Sequence, residues 1–366
     1  MLLQNGIVYH KGKFHAGRNV SICDGVFCKS SCDDLILDCT DLYVLPGLID
    51  IHTHGALGFD ALDATDEAIE GIAKYMLSCG VTTFLPTVMT ASYDQMHEAI
   101  CKIRHFKGSI HTADMPGVYM EGPYFSPLKA GAQHPEYIRD ISLSEFESDL
   151  RSGFVKVISI APEKADSTAF ISKFKNAVKI AAGHTSANYA QMQQSIHDGI
   201  TLLTHTFNAM NPLHHRDPGP IGAALDSNIY CEFICDGLHL SEPIVRLLFK
   251  TCPDRLVMIS DSVRPTGLPD GEYMSGGQKV YLSNSLAKLA DGTIAGSTCN
   301  LLQGLKNMIR FGISLEVAVK TATENPAKAA GIFDQYGSID TGKVANLIVL
   351  DKQLNLKYVI HGGKLV

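Results

Sequence analysis

Eight short apolar runs recur between residues 48 and 260, and that rhythm limits the fold more than any other feature of the chain. They are Leu48–Ile51, Thr82–Leu85, Gly117–Met120, Val155–Ile160, Val178–Ala182, Thr201–Thr204, Tyr230–Ile234 and Leu256–Ser260. Between many of them the apolar spacing turns helical, as over Asp66–Ser78 and Asn188–Asp198. Strands alternating with helices make a parallel sheet, and eight such units in about 220 residues favour a closed barrel over an open sheet. A last helix is predicted over Ser314–Thr323, stopping ahead of Asn325-Pro326, because proline disfavours helix in the residue before it.

The two ends of the chain read differently. Gly6–Tyr9, Val20–Ile22 and Leu35–Asp38 are short runs with turn residues between them, including Asp24-Gly25, a hairpin signal. Ala345–Asp351 and Tyr358–Gly363 resemble them. The expected architecture is α/β: a (β/α)8 TIM-type barrel over 48–332, with a small β-sandwich module formed by 1–47 and 333–366.

Charge excludes some partners. With 31 Lys and Arg against 38 Asp and Glu, the net charge is −7, and no basic stripe marks a nucleic-acid footprint. No run reaches the roughly 18 apolar residues of a membrane span. The amino terminus has no basic segment leading into an apolar one, so no signal peptide is expected. Ten cysteines, Cys32 among them, are irregularly spaced with no Cys-x-x-Cys pair. A cytoplasmic protein with reduced thiols is the expectation.

The chemistry lies at the carboxyl ends of the runs. The first ends in His52-Thr53-His54, the third in Glu121-Gly122-Pro123, the fifth in Gly183-His184-Thr185. The sixth ends in Thr204-His205-Thr206, the seventh in Asp236-Gly237-Leu238-His239, the eighth in Ser260-Asp261-Ser262. In a closed barrel these six tips ring one mouth. His52 and His54, two apart on extended backbone, can face the same side. Imidazole and carboxylate donors together suit a borderline divalent ion such as zinc or iron. A single strand-end histidine is usually structural; this many at matching tips is a metal-site pattern.

These tips resemble the amidohydrolase superfamily. The fourth run ends in Ile160-Ala161-Pro162-Glu163, without the lysine that many members carry there, and Lys156 reads as an ordinary strand residue. Glu121 can supply the missing negative ligand. With Thr204–Met210, Asp236–His239 and Ala295–Ser297, the Glu-Gly-Pro tip narrows the resemblance to the N-acetylglucosamine-6-phosphate deacetylase family over nearly the whole chain. The resemblance implies that Glu121, His184 and His205 hold a metal, that His52 and His54 complete a second position, and that Asp261 is the catalytic acid/base. One or two divalent ions per subunit follow from it.

It further implies substrate contacts from Ala132, Gln133, Asn208, Ala209, Asp236, Gly237, Leu238, His239, Ile294, Ala295 and Gly296. Arg216 would bind the phosphate in its own or a neighbouring subunit, since members are typically homodimers. Gln133 stands where some relatives carry a histidine, and its role passes to a second metal or to His134. The implied substrate is an N-acetylated amino-sugar phosphate, with the galacto epimer as a rival to the gluco one. The reading from another class is a non-catalytic assembly protein on the same scaffold.

Overall fold

The computed structural model describes residues 1–30 and 35–366. Eight parallel strands follow one another around a sheet in sequence order: Leu48–Thr53, Val81–Met89, Val118–Glu121, Val155–Ile160, Lys179–Ala182, Leu202–Leu203, Tyr230–Ile234 and Leu256–Ile259. All eight runs read from the sequence are strands. The first and eighth share no ladder; the barrel closes just past their tips, where Asp261 N donates to the His52 carbonyl at 2.9 Å and His54 N to Ser262 O at 2.8 Å.

Strand interiors alternate as a barrel requires. Ile49, Ile51, Leu85, Tyr119, Val157, Ala181, Leu202, Ile234 and Val257 form one buried cluster, which Ala327, Ala329 and Ala330 join from the end of the last helix. A second, larger cluster joins the outer strand faces to the helices. The helix Asp66–Ser78 shows why. Thr65 caps it by accepting from Ala68 N, acidic Asp66 and Glu67 sit at its positive end, and Ile69, Ile72, Met76 and Leu77 turn inward. Burial of each such side chain contributes about 1.5–3 kcal/mol.

The chain ends make one eight-stranded sheet, in which Leu347–Leu350 pairs antiparallel with Tyr43–Pro46, which in turn runs parallel to Leu2–His10. The sheet curls back on itself: Val26 bridges to Val344, and Leu3, Ile22, Phe27, Val44, Leu347 and Ile360 fill the space between. Asp24 and Gly25 both take left-handed backbone, as the expected hairpin demands (φ 50° and 79°).

Two expectations need correcting. The helix predicted over Ser314–Thr323 forms as Leu315–Thr321 and stops ahead of Asn325-Pro326, but it is not the last: a further helix, Glu324–Ala329, follows, with Pro326 in its first turn, where a missing N–H costs nothing. After the eighth strand the chain forms a four-stranded antiparallel sheet, Gly271–Ser275, Gln278–Ser283, Leu286–Lys288 and Ile294–Ser297, which is not anticipated from the sequence. Finally, reduced thiols hold for eight cysteines, but Cys23 is disulfide-bonded, and Cys32 lies outside the described residues. No helix among the described residues is long and apolar enough to cross a membrane.

Candidate metal centre and substrate pocket

Strand ends deliver the ligand-type side chains to one point. His184 Nε2 and His205 Nε2 lie 3.2 Å and 3.0 Å from Glu121 Oε1 and 3.1 Å from each other. His54 Nε2 lies 3.3 Å from the other oxygen of Glu121 and 3.2 Å from Asp261 Oδ1. His52 Nε2 is 3.4 Å from Glu121 Oε1 and 3.6 Å from Asp261 Oδ1. Two three-residue groups result, Glu121–His184–His205 and His52–His54–Asp261, each compact enough for one ion, with Glu121 between them. All six residues are buried.

The backbone strains to make this arrangement. His184, His205 and Asp261 each adopt left-handed backbone at the strand tip (φ 44°, 25° and 48°). Such conformations cost of order 1–3 kcal/mol each in a non-glycine residue and persist where the surroundings enforce them, as at functional sites. Just before His184, Gly183 is required by space: a Cβ there would lie 2.4 Å from Ser159 Oγ and 2.8 Å from Thr204 Cβ.

Ring orientation is fixed from behind. His184 Nδ1 faces the Lys129 carbonyl at 2.8 Å, and His54 Nδ1 faces that of Thr87 at 3.2 Å. A ring that donates from Nδ1 leaves the Nε2 lone pair facing the centre. His184 also stacks on Phe125, with centroids 4.4 Å apart. Glu163, at the fourth strand's tip, accepts from Thr185 Oγ1 and, at 2.6 Å, from Ser186 N, and so braces the loop that carries His184.

Electrostatics describe a site built for positive charge. Burial raises the Glu121 pKa, but His52, together with hydrogen bonds from His184 and His205, overrides it and holds the carboxyl well below its ordinary range. Burial acts on Asp261 in the same sense, and His54 and His52 reverse it. For His54, burial opposes protonation, yet Asp261 and Glu121 push its pKa up to about 10. The mixed imidazole and carboxylate donors fit a divalent cation.

Above this centre opens a cavity of about 360 Å³. Of the residues expected there, His54, Glu121, His184, His205, Asp261, Ala132, Gln133, Asn208, Ala209, His239, Ile294, Ala295 and Gly296 line it. The antiparallel sheet forms its outer wall through Ser275, Val280 and Ile294–Gly296, and Gln278 Nε2 ties that wall to the Ala132 carbonyl at 2.8 Å. Gly296 must be glycine on two counts: its φ of 72° is left-handed, and a Cβ would press to 2.5 Å from Val263.

Other expected residues lie elsewhere. His52 sits deeper than the cavity wall. Asp236 braces rather than lines: its carboxylate accepts from Leu238 N and His239 N and meets His239 Nδ1 at 2.6 Å, which aims the ring. Gly237 supplies the left-handed turn at φ 80°, and Leu238 faces solvent. Arg216 is exposed on its loop and does not reach the cavity of its own chain. Gln133 is tied to Glu121 through Nε2 and accepts from Thr90 N at 2.9 Å. His134 packs at a tilt against Tyr137 outside the cavity, and Lys156 does not line it.

Sequence reasoning missed Glu232 and the outer wall. The signal for Glu232 was a lone charge within a buried strand, Tyr230–Ile234. For the wall it was Gly276-Gly277 between alternating runs, a hairpin pattern.

A barrel with a buried imidazole–carboxylate centre at its carboxyl-terminal mouth defines a class, and the chain belongs to it: the amidohydrolase family matches residues 43–366. Among its relatives, N-acetylglucosamine-6-phosphate deacetylase of Bacillus subtilis (strain 168) is 36% identical over 335 residues, covering 89% of this chain and 85% of the relative. N-acetylgalactosamine-6-phosphate deacetylase of Escherichia coli O157:H7 is 32% identical over 327 residues, 87% of this chain and 86% of the relative. The crystal structure of N-acetylglucosamine-6-phosphate deacetylase from Pasteurella multocida superposes with a TM-score of 0.93 at 27% identity, covering 100% of this chain and 99% of that one.

Proposed function

We propose that this chain hydrolyses the acetamide of N-acetylglucosamine 6-phosphate, giving glucosamine 6-phosphate and acetate. The observation that carries the reading is the convergence of His184 and His205 on one oxygen of Glu121 at the floor of the cavity. Glu121, His184 and His205 would hold one divalent ion, zinc or iron, and His52 and His54 with Asp261 a second. When bound, such an ion polarises the carbonyl and lowers the pKa of water from about 15.7 to roughly 7, worth on the order of 12 kcal/mol, which no side-chain base matches.

The chain's own groups do the rest. Asp261, kept ionised by His54 and His52, takes a proton from the attacking water and returns it to the amide nitrogen as the C–N bond breaks. His239, aimed by Asp236, binds the sugar, together with Asn208, Ala209, Ala132, Gln133 and Ile294–Gly296. Asp236, Gly237 and Leu238 act as the turn that carries His239. The cavity walls offer no Lys or Arg among the described residues. A phosphate needs a cation, so Arg216 of a second copy reaches across, and the working form is a homodimer. The β module is the unit formed by 1–47 and 333–366, the barrel spans 48–332, and the protein works in the cytoplasm on a small molecule.

Amine release from the gluco and galacto N-acetylhexosamine 6-phosphates and from unphosphorylated N-acetylglucosamine tests this. The gluco phosphate is expected to react fastest. Equal rates with and without phosphate would remove the phosphate reading, and a faster galacto epimer would reassign the substrate.

A further inference from the structure

Glu232 lies in the seventh barrel strand, at 0% exposure, and belongs neither to the two three-residue groups of the metal centre nor to the cavity lining. One of its oxygens, Oε2, is 3.1 Å from His52 Nδ1 and also accepts from the backbone N of His205 at 3.1 Å. The other, Oε1, is buried and has no hydrogen-bond partner among the described residues. A wholly buried carboxylate left half unpaired is costly and does nothing for packing that an apolar residue would not do better.

The four rings differ in what stands behind them. His54 and His184 each face a backbone carbonyl through Nδ1, and His205 Nδ1 has no partner among the described residues. Only His52 is backed by a carboxylate. A carboxylate makes an imidazole a stronger ligand than a carbonyl does, besides fixing its tautomer and plane. Because the same oxygen grips the His205 backbone, it also sets the spacing of His52 and His205, whose ring centroids are 5.6 Å apart.

We propose that Glu232 is a positioning residue that acts through His52 and enables the His52–His54–Asp261 position to hold a second ion. This rests on the metal reading given above. Chelator-stripped protein reloaded with zinc, followed by metal content per subunit and competition titration, provides the test. The native chain is expected to take two zinc ions. Glu232→Gln is expected to keep the first affinity and to lose about 10–100-fold in the second, as for other residues that orient ligands from behind. Glu232→Asp, which keeps the charge but withdraws it, is expected to fall between, and gives the same readout if the glutamine variant fails to fold.

A native chain holding only one zinc overturns the proposal, as do two unchanged affinities in both variants or an equal loss at both positions, the mark of a merely structural residue. A native chain that takes no ion overturns the metal reading with it. Two ions with unaffected variants leave that reading standing and overturn only the role of Glu232.

Discussion

Asp261 Oδ1 lies 3.2 Å from His54 Nε2, so the eighth strand of the barrel meets the first through a side-chain contact at the mouth. The same residue's backbone N donates to the His52 carbonyl. Asp261 is thus held at two points, and its carboxylate faces the cavity above Glu121, His184 and His205.

That placement makes Asp261→Asn the sharpest probe of proton transfer. Asparagine keeps the size and cannot carry the proton. The variant should retain an ion at Glu121–His184–His205, while kcat falls about 10²–10⁴-fold. Metal content and steady-state kinetics on one preparation check both halves. Near-native turnover would contradict the assignment.

Arg216→Ala should act on the phosphate alone. A charge-assisted hydrogen bond contributes about 1.5–3 kcal/mol, so kcat/KM for the phosphorylated sugar should drop roughly 10–150-fold. The slow rate on unphosphorylated N-acetylglucosamine should not change. Mixing this variant with a Glu121→Gln partner should restore activity to hybrid dimers, because the intact centre and the intact arginine then lie in different chains. Failure of that complementation would return Arg216 to the solvent.

The junction between β module and barrel carries a pH-dependent contribution. Burial disfavours charge on His361, but Asp114, 3.2 Å from Nε2, and the Ile110 carbonyl, 3.0 Å from Nδ1, outweigh it and raise its pKa above 6.5. A raised folded value means that the stabilisation is complete below the unfolded value, near 6.5 by ordinary reckoning, and fades as pH climbs through the folded one. Asp114 is 31% exposed, so solvent screening keeps the effect to about 1 kcal/mol or less. Denaturant midpoints for native chain and His361→Gln should therefore differ more at low pH than at high pH. A constant gap would assign the contact to shape alone.

Much of this was legible in the sequence because barrel strands, buried on both faces, announce themselves as apolar runs, and their polar tips then fall where the fold needs them. All eight runs became strands, and His52, His54, Glu121, His184, His205 and Asp261 converge as their positions implied. What stayed hidden depended on contacts distant in sequence. Glu232 meets His52 across 180 residues, and no local pattern encodes that pairing. The outer wall escaped because its strands are short, half-exposed and separated by turns, the first of them Gly276-Gly277, so their alternation reads as loop. Asp236 looked like a sugar ligand, yet its oxygens are taken up locally by Leu238 and His239, as aspartate readily does in a turn.

Everything returns to the cation. Amine release from N-acetylglucosamine 6-phosphate, followed on one sample before chelation, after it, and after zinc or iron is restored, tests that most directly. Activity should vanish with the ion and return with it, and thermal stability should fall and recover in step, by about 2.7 kcal/mol at a free ion concentration one hundred times Kd. Deacetylation that continues in a chain stripped of metal would contradict the central claim.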